Sequence, residues 1–103
     1  MKEYNKLIRD KIPEIIEEAG KDYELDTVEE EDYKQALEKK LQEEVDEYKE
    51  ENSLEELADI MEVIDALIDC HGITWKELED LRKQKKQERG GFEQGLFLLK
   101  AEE

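Results

Sequence analysis

Between Ser53 and Gly72 the apolar residues return at the spacing of a helix. At about 100° per residue, Leu57, Ile60, Met61, Ile64, Leu67 and Ile68 fall into one broad arc, and Val63, Ala66 and Cys70 widen it on one side. Ser53-x-x-Glu56 has the form of a capping box at the start of this helix, and Gly72 is the stop signal after His71. Glu55, Glu62, Asp65 and Asp69 fill the opposite sector, where solvent-facing carboxylates belong.

The rest of the chain reads around that helix. Pro13 sits near the start of a first helix, where a missing N–H is tolerated, with Asp10 as its expected cap and Ala19-Gly20 as its end. A long helix is predicted from about Glu30 to Glu50, with Leu37, Leu41, Val45 and Tyr48 as its apolar stripe. Asn52-Ser53 separates it from the apolar helix. A second capping box, Thr74-x-x-Glu77 with Ile73 and Leu78 placed as a hydrophobic staple, opens a fourth helix that runs to about Arg89 and ends at Gly90-Gly91. Tyr23, Leu25 and Thr27 alternate with charged residues, and Leu96-Phe97-Leu98-Leu99 is a short apolar run after Gly95. Both suit extended chain, and the two segments could pair. The expected class is mostly α: a four-helix bundle with a candidate short two-stranded β element, as a single domain over residues 1–103.

Composition narrows the function. Asp and Glu total 32 against 16 Lys and Arg, a formal net charge of −16. Residues 14–75 hold 23 of the acidic groups and only five basic ones. Such a surface argues against a nucleic-acid polymer or an anionic membrane as partner. No run approaches the roughly 18 apolar residues of a membrane span, and no apolar signal region follows Met1-Lys2-Glu3. A single cysteine, Cys70, excludes an internal disulfide framework and suits a reducing, cytoplasmic compartment. One His and one Cys also exclude a zinc site built of those ligands alone. Any metal must be held largely by carboxylates.

Two carboxylates of the apolar helix look misplaced. Glu56 falls between the directions of Val63 and Leu67, and Asp59 between those of Ala66 and Cys70. An unpaired buried carboxylate costs several kcal/mol, so it needs a cation or a proton. The preceding helix offers matching groups: Glu44 and Glu47 lie three apart on one flank of its stripe, with Glu43 and Glu51 nearby. The short Asn52-Ser53 turn makes the helices antiparallel, which lets Glu44, Glu47, Glu56 and Asp59 converge. Oxygen ligands at that density suit Mg²⁺ or Mn²⁺. The plainer alternative is that Glu56 caps its helix and Asp59 forms a salt bridge.

The string Glu43-Glu44-Val45-Asp46-Glu47, followed by Glu56-Leu57-Ala58-Asp59, resembles the EExxE…ExxD signature of the MazG-like all-α nucleoside triphosphate pyrophosphohydrolases. Two terminal strings sharpen the likeness. Residues 4–16, Tyr4-Asn5-Lys6-Leu7-Ile8-Arg9-Asp10-Lys11-Ile12-Pro13-Glu14-Ile15-Ile16, look like the N-terminal signature of a small house-cleaning subgroup. Arg89-Gly90-Gly91-Phe92-Glu93-Gln94-Gly95-Leu96-Phe97-Leu98 looks like its C-terminal one. The resemblance implies a helical bundle in which Glu44, Glu47, Glu56 and Asp59 bind Mg²⁺. Glu43 is carried over as a supporting or basic member of the catalytic set. It implies attack of water between the α and β phosphates of a nucleotide, giving a monophosphate and pyrophosphate. It also implies a homodimer or homotetramer.

A triphosphate and a carboxylate cluster repel, so a metal must bridge them and basic groups must complete the far side of the phosphates. Lys6, Arg9 and Lys11 are the first candidates, and Lys83, Lys86 and Arg89 the second. The latter three also suit the negative end of a helix without any ligand. Cys70 is expected to be a buried small hydrophobe, His71 structural, Trp75 and Phe92 packing residues. The alternatives to a house-cleaning enzyme are phosphoribosyl-ATP pyrophosphohydrolase of histidine biosynthesis and a non-catalytic acidic helical interaction protein. Independently of the resemblance, a helix apolar over more than half its circumference is more than a lone 103-residue domain can cover. That too points to a homo-oligomer.

Overall fold

The computed structural model describes residues 2–103, and Met1 lies outside the described residues. It contains four helices: α1 (Ile12–Glu18), α2 (Glu30–Glu51), α3 (Leu54–His71) and α4 (Trp75–Arg89). The chain divides into two compact units, one ending at Gly72 and the other spanning Ile73–Glu103.

The first unit is organised by packing between α2 and α3. Glu30, Glu31 and Asp32 place negative charge in the first turn of α2, where the helix dipole favours it. Its end is set by Asn52, which takes the left-handed conformation at φ 55° and donates its backbone N–H to the Tyr48 carbonyl at 2.7 Å. Asparagine tolerates that conformation better than most residues with a Cβ. Ser53 then turns extended and its Oγ accepts the Glu56 backbone N–H at 3.4 Å, starting α3. Only these two residues separate the helices, so the packed pair runs antiparallel. α3 stops at Gly72, whose φ of 70° is open to glycine.

The core of this unit is small. Leu37, Val63 and Ile68 are its buried apolar residues. Leu41, Val45 and Tyr48 of α2 and Ile60, Ile64, Ala66 and Leu67 of α3 lie half-buried beside them. Leu54, Leu57 and Met61, spaced at i, i+3 and i+7, stay exposed along α3.

Several local expectations change. Asp10 does not cap α1: Lys11 holds the cap position and no side chain bonds there. Pro13 falls in the first turn and has no N–H, so one of the amides a cap would serve is missing. Cys70 is exposed rather than buried. It points the same way as buried Val63, seven residues earlier, but stands in the last turn of α3. The candidate β element does not form among the described residues. In its first segment the polar groups bond locally instead of across a ladder. The Tyr23 hydroxyl donates to Glu17 Oε1, and the Thr27 N–H donates to its neighbour Asp26 Oδ1 at 2.8 Å.

In the second unit Thr74 Oγ1 accepts the Glu77 N–H at 3.2 Å and opens α4. Ile73 and Leu78, the expected staple, are half-buried. Surface pairs line the helix: Lys76 with Asp80 at 3.0 Å, and Arg82 with Glu79. Gly90 ends it. Phe92 is 98% exposed, not packed, and Leu96–Leu99 run as extended chain with all four side chains exposed. No helix among the described residues is long and apolar enough to cross a membrane.

Candidate metal centre

The α2–α3 packing brings together the carboxylates that periodicity marked as misplaced. Glu43, Glu44 and Glu47 each offer a carboxylate oxygen within 4.8 Å of the others, and so do Glu44, Glu56 and Asp59. Glu44 belongs to both groups and links the helices. Spacings of one, three and four residues put the α2 members on adjoining positions of one flank, and Glu56 and Asp59 stand three apart on α3.

Glu44 is the centre of the arrangement. It is 5% exposed and is the buried charged residue of the described chain. Its Oε1 pairs with Lys40 Nζ at 3.1 Å, while its Oε2 is buried without a hydrogen-bond partner among the described residues. Glu56 Oε2 is buried and unpartnered as well. The capping reading of Glu56 thus holds for its backbone N–H, which reaches Ser53, but leaves that oxygen unaccounted for.

Among the described residues, three cations meet the cluster. Lys40 bridges Glu43 Oε1 at 3.2 Å and Glu44 Oε1 at 3.1 Å from one turn earlier on α2. Lys6 Nζ reaches Glu43 Oε1 at 2.9 Å, and Arg9 Nη2 reaches Asp59 Oδ1 at 2.7 Å. The salt-bridge reading of Asp59 is therefore realised. Five carboxylates against three cations leave two negative charges unbalanced, and Glu51 adds to the repulsion.

The proton affinities follow these contacts. Burial, then the negative charges of Glu47, Glu51, Asp59 and Glu44, pushes the Glu56 carboxyl above its ordinary range. Burial acts the same way on Glu43, but hydrogen bonds from Lys6 and Lys40 outweigh it and hold that carboxyl below the ordinary range. The Lys6 ammonium is raised in turn, chiefly by its bond to Glu43.

The donor set fits a hard divalent cation. All groups are oxygen donors, they stand close together, the excess charge is negative, and two buried oxygens within the cluster have no proton donor. Filling such sites with a cation relieves both the repulsion and the desolvation cost.

The basic residues fall in three places. Lys6 and Arg9, expected to face phosphate, stand on Glu43 and Asp59. Lys11 holds the cap position of α1 and is exposed. Lys83, Lys86 and Arg89 lie exposed on α4 in the second unit, with Lys86 3.7 Å from Glu93. Lys40 is the one member that sequence reasoning missed. Its spacing, three before Glu43 and four before Glu44, is the ordinary signal of helical ion pairs. Protein-family models, curated proteins and solved structures were all compared with this chain, and none matches it.

Proposed function

We propose that this protein is a Mg²⁺-dependent, or Mn²⁺-dependent, nucleotide pyrophosphohydrolase. It would cleave between the α and β phosphates of a non-standard nucleoside triphosphate and release a monophosphate and pyrophosphate. The observation that carries this reading is the pair of buried, unpartnered oxygens, Glu44 Oε2 and Glu56 Oε2, inside a cluster with negative charge to spare. The MazG-like motif strings name the reaction.

Glu44, Glu47, Glu56 and Asp59 would hold the cation. When bound, it would neutralise phosphate oxygens and acidify a water beside them. Glu43, tied between Lys6 and Lys40, keeps the flank of the cluster in place. Lys6, Arg9 and Lys11 are the basic groups near the N-terminus for the phosphates. Phosphoryl transfer asks the protein mainly for positioning and charge stabilisation, which is what such groups supply.

The test is a product assay. With Mg²⁺ and a panel of canonical and modified triphosphates, monophosphate plus pyrophosphate is the expected outcome. Removing even an outer partner of a metal ligand costs 10–100-fold, so Glu56→Gln should lower turnover by at least about 100-fold. Orthophosphate plus diphosphate would assign the wrong phosphorus. No turnover, with no stabilisation by metal, would leave the acidic interaction protein as the better reading.

A homodimer or homotetramer belongs to the same proposal, as does a cytoplasmic setting, which the lone Cys70 suits. The exposed stripe Leu54, Leu57 and Met61 on α3 supports the assembly, since contiguous apolar surface of this kind marks interaction sites. Light scattering at micromolar concentration should give at least twice the 12.3 kDa chain mass. A clean monomer would remove the oligomer from the proposal.

A further inference from the structure

We propose that Arg9 is an exchangeable counter-ion of the carboxylate cluster. It neutralises Asp59 until a divalent cation takes that carboxylate, and the released guanidinium then passes to an anionic phosphate. This inference rests on the metal-site reading above and adds to it a coupling between cation and phosphate.

The cations on the cluster differ in kind. Lys40 stands on the same helix as its two partners, and its side chain is 16% exposed. It is shared between both carboxylates and is fixed by the helix. Arg9 precedes α1 on the non-helical N-terminal segment and reaches a partner 50 residues away. Its side chain is 53% exposed, and it touches Asp59 through Nη2 alone. The rest of the guanidinium fork is left for other acceptors. A planar fork with open donors matches phosphate oxygens two at a time.

The exchange is easy on energetic grounds. Exposed ion pairs contribute little, because solvent screens them and both side chains lose freedom. A divalent cation offers Asp59 twice the charge at a shorter distance. The same cation also serves Glu44, a member of the Asp59 group whose Oε2 is buried without a hydrogen-bond partner among the described residues. The cation therefore gains more from the cluster than Arg9 does. Once released, Arg9 is held near the site by the Lys6–Glu43 pair, three residues earlier in the chain. Cation and phosphate then strengthen each other's binding, and by linkage the effect is mutual.

Manganese binding to the full chain, followed by electron paramagnetic resonance with and without inorganic pyrophosphate, tests this. Loss of an exposed competitor corresponds to about three- to five-fold, so Arg9→Met should bind Mn²⁺ alone that much more tightly than wild type. Lys2→Met, which removes one charge from the same segment without touching the cluster, should bind it as wild type does. Pyrophosphate should tighten Mn²⁺ binding in wild type and Lys2→Met, and much less in Arg9→Met. Arg9→Lys should keep the wild-type Mn²⁺ affinity but lose part of the pyrophosphate effect, since the fork is gone. An Arg9→Met protein that matches Lys2→Met in both measurements overturns the exchange and leaves the metal site standing. Absence of Mn²⁺ binding in wild type and Lys2→Met alike overturns the site and the exchange together.

Discussion

Saturating Mg²⁺ is expected to raise the melting temperature of this protein by roughly 10–20 °C, and Glu44→Gln is expected to abolish that rise. The size follows from linkage. A ligand at 100 times its dissociation constant adds about 2.7 kcal/mol to stability, and each kcal/mol moves a domain of this size by about 4–8 °C. The unfolded chain disperses its carboxylates and gains little from the cation. The variant separates metal binding from general stability by sign. The amide introduced by Glu44→Gln would keep an acceptor for Lys40 while removing one charge from a cluster that already has too many. Without metal, Glu44→Gln should therefore melt at the wild-type temperature or above it. With metal it should not move. A variant that still gains the full shift would place the cation away from Glu44, and a wild type that gains none would remove it altogether.

Leu37→Ala is expected to lower stability by about 2–5 kcal/mol, the range for leucine-to-alanine changes in packed cores. Leu37 is 5% exposed and is the buried apolar residue of α2, as Val63 and Ile68 are of α3. Few residues share that load, and small domains hold only about 5–15 kcal/mol in total. The melting temperature should fall by at least about 10 °C. Leu96→Ala, at a position 85% exposed, should stay within about 0.5 kcal/mol of wild type. If both changes cost little, the α2–α3 interface is not the core. Mg²⁺ should restore part of the Leu37→Ala loss, because the interface that buries Leu37 also assembles the carboxylates.

The helices were legible because helix boundaries are written locally. Ser53 and Thr74 accept the expected backbone N–H groups, and Asn52, Gly72 and Gly90 end helices where turn residues stand. The 3.6-residue period needs no knowledge of distant chain. It also marked Glu56 and Asp59 as out of place, and the structure brings both to Glu44. Local reasoning failed where the outcome depends on a partner far away in sequence. Leu96–Leu99 read as a strand, but a strand exists only when another backbone satisfies its amides, and none does among the described residues. Cys70 shares the direction of buried Val63, yet in the last turn of α3 it stays exposed.

Charge shows the same division. Periodicity and the short Asn52-Ser53 turn determined that the chain is mostly α, that α2 and α3 face each other antiparallel, and that acidic groups crowd their shared flank. Only tertiary structure decided which cations reach that flank. Lys6 and Arg9 arrive from 37 and 50 residues away and pair with Glu43 and Asp59. It also decided which oxygens remain unpaired, because burial and hydrogen-bond partners depend on the packed neighbours of each atom. Glu43 and Glu44 are adjacent and chemically identical in sequence. In the fold one is held by two lysines, while the other keeps a buried oxygen open to a cation.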